Sequence, residues 1–426
     1  MKKENKETEE EIRKKIREEI NDKWKITLEG KMTEKIDLAL NKAYKEFENN
    51  LNSFTNNMSK NINKALKLKI NQKPLNLVPI DNSNYLVNPI LICLSNIDCL
   101  VNFCIGEEKD IILENLKENS FFLSFITFIN NLWFKKSGNY NPSQIHNLLK
   151  ELMKEDFNNS DPGVFISFIL TKLNEEINYN KKVIKNKNEI NLTNKEEVEN
   201  FFKEYKENIK TKISNDFYIV TETTKKCQKF KKKGGQEINH YYFDYQPIIN
   251  LYINEPDKVT GIGNNQFANL TLEENFNYLL VDEFNVEDEC SVCEENHELR
   301  VNKIIKSLNN ILIININRDK DPFRIMKLKY PEILNYQTVV TRESENEIVK
   351  NDKYELISVI KRASRNELDY IEIDEYNINI YCKNFNDKKW YLYNEEKETE
   401  ILNQNNEKQI FDEKNALVLV YRKISN

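Results

Sequence analysis

Between Tyr85 and Asn96 apolar side chains recur at helical spacing, at Leu86, Ile90, Leu91 and Leu94, directly after the polar run Asp81-Asn82-Ser83-Asn84. That pattern predicts a buried helix entered from a loop, with Pro89 in its first turn, where a missing N–H does no harm. The helical period continues through Ile111 to Leu116, Phe121 to Phe134, Pro142 to Met153 and Val164 to Ile177. Ser143 is placed to cap the third of these, following Asn141-Pro142. Residues 1 to about 68 also read as helices: Ile12, Ile16, Ile20 and Trp24 form one stripe, and Leu38, Leu40, Ala43, Tyr44 and Phe47 a second. The stripes lack sustained heptads, which favours a helical extension packed on the main domain over a coiled-coil or partner-binding arm. Lys73-Pro74 closes this part.

After Asn178 the period changes. Residues 179 to about 215, led by Lys181-Lys182-Val183-Ile184-Lys185, read as a solvated linker with some helix. Beyond it come short strand-like runs bounded by polar turns: Phe217–Val220, Tyr241–Phe243, Ile248–Ile253, Val301–Ile305, Leu312–Asn317, Tyr354–Ile360, Ile378–Cys382, Trp390–Tyr393 and Ala416–Tyr421. Helices first and strands second make an α+β chain. The expected layout is an extension over 1–73 and one large domain over 74–426.

Composition narrows the function classes. The chain has 426 residues and 39% hydrophobic content, enough to bury a substantial core. Its 63 basic and 69 acidic residues leave a net charge of −6, too small and too mixed to argue for nucleic acid. Seven scattered cysteines suit reduced thiols in an intracellular compartment, cytoplasm or nucleus. The charged start cannot serve as a signal peptide, and even Phe121 to Trp133 is broken by Ser124, Thr127, Asn130 and Asn131, so no membrane span is expected.

The stretch Tyr85 to Asn96 resembles the first motif of the ubiquitin-specific protease family, a papain-like cysteine peptidase family in which the loop runs G-N-T-C-Y before the helix. Ser160-Asp161-Pro162-Gly163-Val164-Phe165, with Leu173-Asn174-Glu175-Glu176, is similar to the family's Q-Q-D-A-H-E-F block. Tyr354-Glu355-Leu356-Ile357-Ser358-Val359-Ile360, Tyr381-Cys382-Lys383-Asn384, Lys389-Trp390-Tyr391-Leu392-Tyr393-Asn394 and Leu417 to Arg422 resemble its C-terminal strands. The resemblance spans about residues 74–423. It implies a helical thumb (74–178), a linker (179–215), and β-rich fingers and palm (216–426). It also implies that Asp161, Phe165 and Tyr381 lie where a ubiquitin tail would bind.

The same alignment removes the catalytic machinery. The nucleophile position falls on Asn84, or on Tyr85 without a gap; the histidine position falls on Asn377, and the third position on Asn394. A thiol peptidase needs an imidazole that takes and returns a proton near neutral pH, and an amide does neither. The three histidines, His146, His240 and His297, all lie elsewhere in the chain. The oxyanion Asn is replaced by Pro79 or Ile80, and the paired glycines before the histidine by Glu375 and Tyr376. Cys93 is the nearest alternative thiol, in the body of the helix.

Cys290-Ser291-Val292-Cys293 forms a C-x-x-C in an acidic turn, with Cys227 on the preceding hairpin and Phe230 where a fourth cysteine would belong. Two readings stand: a vestigial knuckle, or a structural zinc on Cys227, Cys290 and Cys293 with His240 or His297 as the fourth ligand. No other cofactor is expected. The leading function is an inactive scaffold that binds ubiquitin, a ubiquitin-like protein or another protein partner. The rivals are an active deubiquitinase with a relocated nucleophile, and a structural subunit of an RNA-processing complex with no ubiquitin contact.

Overall fold

The computed structural model describes residues 13–19, 21 and 42 of the first seventy. From 75 to 424 it describes all but 76, 79–84, 107–119, 135–138, 160, 179–191, 228–237, 253–269, 282–283, 291–294, 318–327, 336–351, 363–377, 395–396, 402–409 and 412–415. The chain divides into two bodies, Met1–Ile70 and Asn71–Asn426. In the first, residues 13–19 are helical; the rest of its expected stripes, and the expected helix at Ile111 to Leu116, lie outside the described residues.

The second body opens on the helix that the apolar spacing predicts, α1 (Val87–Ser95), in which all nine residues are buried. It packs against α2 (Asp98–Ile105), the later helix α6 (Pro162–Ile177) and two strands of the main sheet. Between α2 and α6 come α3 (Phe121–Phe134), α4 (Ser143–Met153) and α5 (Asp156–Asn159). The α4 cap differs from expectation: Ser143 is the first helical residue, and its N–H donates to Asn141 Oδ1 at 2.9 Å. An Asn two residues upstream reaches that orphan amide, so the serine hydroxyl makes no cap bond. In α6 the cap is Asp161, whose Oδ1 accepts the Val164 N–H at 2.9 Å, with Pro162 in the first turn.

The expected solvated linker is more ordered at its C-terminal end than its charge suggests. Residues 195–208 form α7 (Lys195–Asn208) and 212–217 form α8 (Lys212–Phe217). Phe202 of α7 stacks on Phe243 at 5.0 Å, and Lys206 lies over the Tyr245 ring at 5.5 Å. Aromatic side chains thus give a highly charged helix a face to bury.

Strands follow. A four-stranded antiparallel sheet runs in the order β2-β1-β6-β5, from β1 (Ile219–Cys227), β2 (Ile238–Gln246), β5 (Phe284–Cys290) and β6 (Glu295–Ser307). The main sheet runs β13-β12-β11-β10-β14-β7-β3, with β9 (Ile333–Asn335) also paired to β10. Its members are β3 (Ile249–Tyr252), β7 (Ile311–Asn317), β10 (Lys353–Arg362), β11 (Ile378–Lys383), β12 (Trp390–Asn394), β13 (Lys397–Ile401) and β14 (Ala416–Ile424). A small parallel pair, β4 (Leu270–Thr271) and β8 (Leu328–Lys329), and the helix α9 (Leu272–Val281) complete the described elements. Ala416 to Tyr421 in β14 and Ile311 to Ile316 in β7 are buried without interruption, as central strands covered on both faces must be.

The helical half is fastened to the main sheet by polar contacts. Arg422 of β14 donates to Asp98 of α2 at 2.9 Å and to Glu355 of β10 at 3.0 Å, and Lys383 of β11 meets Glu355 at 2.6 Å. Burial pushes the Glu355 carboxyl up, but the hydrogen bonds from Lys383 and Arg422 outweigh it and leave the carboxyl below its ordinary pKa. No single described helix is long and apolar enough to cross a membrane.

Candidate functional site

The expected nucleophile, histidine and third positions fall just before α1, just before β11 and at the end of β12. Tyr85 stands just ahead of α1, 37% exposed, and no side chain caps the helix. Asn394 ends β12, and the register Ile380↔Tyr393 sets the start of β11 alongside it. Asn84, Asn377, Pro79, Ile80, Glu375 and Tyr376 lie outside the described residues.

The thiols nearby are not activated. Cys93 Sγ lies 3.3 Å from Ser358 Oγ, which lies 3.2 Å from Cys382 Sγ, so one serine hydroxyl joins α1 to β10 and β11. Both cysteines are fully buried. Burial pushes the Cys93 thiol up to about 11, with the Ser358 hydrogen bond pulling weakly the other way. Burial likewise pushes the Cys382 thiol well up, reinforced by Cys93 and opposed by the Ser358 hydrogen bond. Cys99, at the start of α2, is raised by burial and by the Asp216 and Asp98 carboxylates. A nucleophilic cysteine needs the opposite environment, electropositive and open.

His146 does not supply a base. Its Nε2 lies 2.9 Å from Asn88 Oδ1, and its Nδ1 is buried without a hydrogen-bond partner among the described residues. Burial lowers its pKa to about 4. An imidazole in this setting stays neutral and positions α1 through Asn88, whose Nδ2 donates to Val78 O at 3.3 Å.

Beside α6 lies a cavity of about 420 Å³, with Val164, Phe168, Lys172 and Glu175 on the helix side and Ile248 and Asn250 on the sheet side. None of the residues expected to hold a tail lines it. Asp161 is committed to capping α6 and to a 3.4 Å contact with Asn315 Nδ2. Phe165 is wholly buried, edge-on to Phe157 at 5.7 Å, and Tyr381 is 5% exposed with Lys361 over its ring at 5.6 Å. Both rings are core side chains. Asn315 was not legible in advance: its Nδ2 also donates to Asn250 Oδ1 at 2.9 Å, and a Cβ on Gly163 would come within 2.3 Å of Asn315 Cγ. Glycine here lets α6 sit directly on β7.

The four-stranded sheet brings a second cluster together. The ligand atoms of Cys227, Cys290 and His297 all lie within 4.8 Å of one another, with Cys227 Sγ 3.5 Å from His297 Nε2. Two buried thiols and an imidazole are a donor set suited to zinc. Cys293 lies outside the described residues, so the expected three-cysteine set is represented by two of its members, joined by a histidine.

With this geometry in view, the family model described as ubiquitin carboxyl-terminal hydrolase matches residues 77–421. The chain belongs to this family. Solved structures carry the same α+β fold as the ubiquitin carboxyl-terminal hydrolase chain described above. The yeast SAGA DUBm with a mutant Sgf73 is 14% identical, with a TM-score of 0.55, covering 83% of this chain and 69% of its own. The Ubp8/Sgf11/Sus1/Sgf73 DUB module bound to ubiquitin aldehyde is 15% identical, with a TM-score of 0.53, covering 83% and 70%. A form of that module bound to monoubiquitin is 14% identical, with a TM-score of 0.54, covering 83% and 69%. No curated protein matches the sequence. The thumb, fingers and palm order expected from the sequence is thus the fold observed.

Proposed function

We propose that this chain is a catalytically inactive member of the ubiquitin carboxyl-terminal hydrolase family, working inside the cell as a module that binds ubiquitin, a ubiquitin-like protein or the subunits of a larger complex. The observation that carries this reading is the state of the thiols at the cleft. Cys93 and Cys382 are buried, bonded to Ser358 and raised in pKa, while His146 is neutral and turned to Asn88. The sequence supports it with amides or Tyr85 at the nucleophile, histidine and third positions, namely Asn84 or Tyr85, Asn377 and Asn394. Without a thiolate and a base, the covalent step has no starting point.

Ubiquitin is favoured as the ligand because related modules are solved with monoubiquitin and with ubiquitin aldehyde bound. The cavity beside α6 has an apolar mouth at Val164, which is 45% exposed. Asp161 would support this groove from the start of α6 through its contact with Asn315, while Phe165 and Tyr381 stay in the core. A structural zinc on Cys227, Cys290 and His297 would stiffen the fingers against a bound protein.

Titration of fluorescently labelled ubiquitin with the full chain tests the binding claim. Saturable binding is expected, weakened at least about tenfold by Val164→Arg, which sets a charge across the groove and needs to cost only about 1.4 kcal/mol to do so. Absence of saturable binding would contradict ubiquitin recognition and favour an assembly subunit without ubiquitin contact.

A further inference from the structure

We infer that Asn250 carries the donor by which the groove beside α6 holds a main-chain carbonyl of a bound protein, and that Asp161 and Asn315 fix the direction in which that amide faces. The inference rests on reading this groove as the place where ubiquitin docks, and it names the polar group that would orient the docked segment.

The lining of the groove is regular on both walls. On the helix side its residues recur three and four apart from Val164 to Glu175, one stripe of α6 about 16 Å long. On the sheet side Gln246, Ile248 and Asn250 alternate over about 13 Å, and Asn250 belongs to β3, at the end of the main sheet's strand order. Lys172 and Glu175, the two charged lining residues, meet at 3.8 Å, so the groove presents no net charge to an ionic ligand. A trench between one helix and one strand runs in a single direction. The acceptors that repeat along any chain laid in it are main-chain carbonyls.

The direction of the Asn250 amide follows from the chemistry at the start of α6. Asp161 Oδ1 accepts the Val164 N–H at 2.9 Å and lies 3.4 Å from Asn315 Nδ2. A carboxylate only accepts, so Asn315 must turn its NH2 toward Asp161. That same NH2 lies 2.9 Å from the side chain of Asn250, its register partner across β7 and β3, which must therefore offer its oxygen. Asn250 Nδ2 is left without a hydrogen-bond partner among the described residues, on a half-buried side chain that lines the groove.

Asn315 cannot turn over without setting its own oxygen against the Asp161 carboxylate. It is 2% exposed, and α6 presses on it through Gly163, where a Cβ would collide with the amide. Asn250 is thus oriented before any partner arrives, so its hydrogen bond to a carbonyl loses little conformational entropy. Asp161 and Asn315 act through Asn250 and are positioning residues.

The test is titration of labelled ubiquitin with the full chain and its variants, with urea unfolding as the control on folding. Asn250→Asp keeps an oxygen for Asn315 and turns a second oxygen to the groove where the NH2 was. It should weaken binding at least about tenfold, because two acceptors then face each other, while the urea midpoint stays at or above the parent's. Asn250→Ala, which removes the donor and adds no charge, should weaken binding by a smaller factor. Asn315→Ala releases the Asn250 amide, so Asn250→Asp should cost less in that background than in the parent, a coupling that independent structural roles would not produce. Folded Asn250 variants that bind as tightly as the parent would overturn the role of Asn250, and additive losses in the double variant would overturn that of Asn315. A parent chain without saturable binding would overturn the ubiquitin reading itself, and this inference with it.

Discussion

Trp133→Ala is expected to destabilise the large body by about 3–5 kcal/mol, read as a shift in the urea midpoint at constant slope. Trp133 is fully buried in α3, and its indole Nε1 donates to the carbonyl oxygen of Ser95 at the end of α1, 2.9 Å away. Its ring also lies 4.8 Å from Phe385, in the turn after β11. One side chain thus ties two thumb helices to the palm. Truncation opens a cavity and leaves a helix-terminal carbonyl unpaired, two costs that add. Trp133→Phe keeps the ring contact and loses only the hydrogen bond, so its cost should be a fraction of the alanine value. Equal losses in the two variants would show that the hydrogen bond alone matters.

The second large effect is acid lability centred on His146. Its pKa is about 4 in the folded chain, against 6.5 for an ordinary histidine, because burial disfavours the charged ring. Above pH 6.5 the ring is neutral in both states and contributes no pH dependence. Between 6.5 and 4 the unfolded chain takes up a proton that the folded chain refuses, so stability falls as pH falls, by roughly 3 kcal/mol at pH 4. His146→Gln keeps a donor to Asn88 and cannot titrate. Its stability profile between pH 7 and pH 4 should be flatter than that of the parent chain by that amount, measured by urea unfolding at each pH. Parallel profiles would contradict a buried neutral imidazole.

What the sequence revealed depended on whether the physical signal was local. The α1 spacing, the uninterrupted apolar runs of β7 and β14, and the Trp390–Tyr393 strand are written in adjacent residues, and each is found in place. Elements whose stability comes from partners were missed. β5 carries the acidic run Glu287-Asp288-Glu289 and reads as a turn, yet it pairs with β6 over seven residues. β13, Lys397-Glu398-Thr399-Glu400-Ile401, has no strand-like alternation and is held by β12. The α7 helix looked like solvent-exposed linker until Phe243 and Tyr245 supplied its buried face.

The candidate site divides in the same way. Asn84 or Tyr85, Asn377 and Asn394, on which the proposed inactivity rests, are single-residue identities that follow from the motif comparison alone. The Cys93–Ser358–Cys382 chain joins residues up to 289 positions apart, and the Asp161–Asn315–Asn250 contacts span as many as 154. No spacing rule relates such residues before the sheet order is known. Cys227, Cys290 and His297 are brought together by the pairing of β1, β5 and β6, which no spacing along the chain shows.

The central claim is that recognition has outlived catalysis in this chain, and a ubiquitin probe with an electrophile at its C-terminus tests it most directly. Incubated with the full chain at neutral pH and followed by intact-protein mass spectrometry, it should leave the chain at its unmodified mass. A covalent adduct that disappears when one cysteine, Cys93 above all, is changed to alanine would mean that a working nucleophile exists, and the account would be wrong.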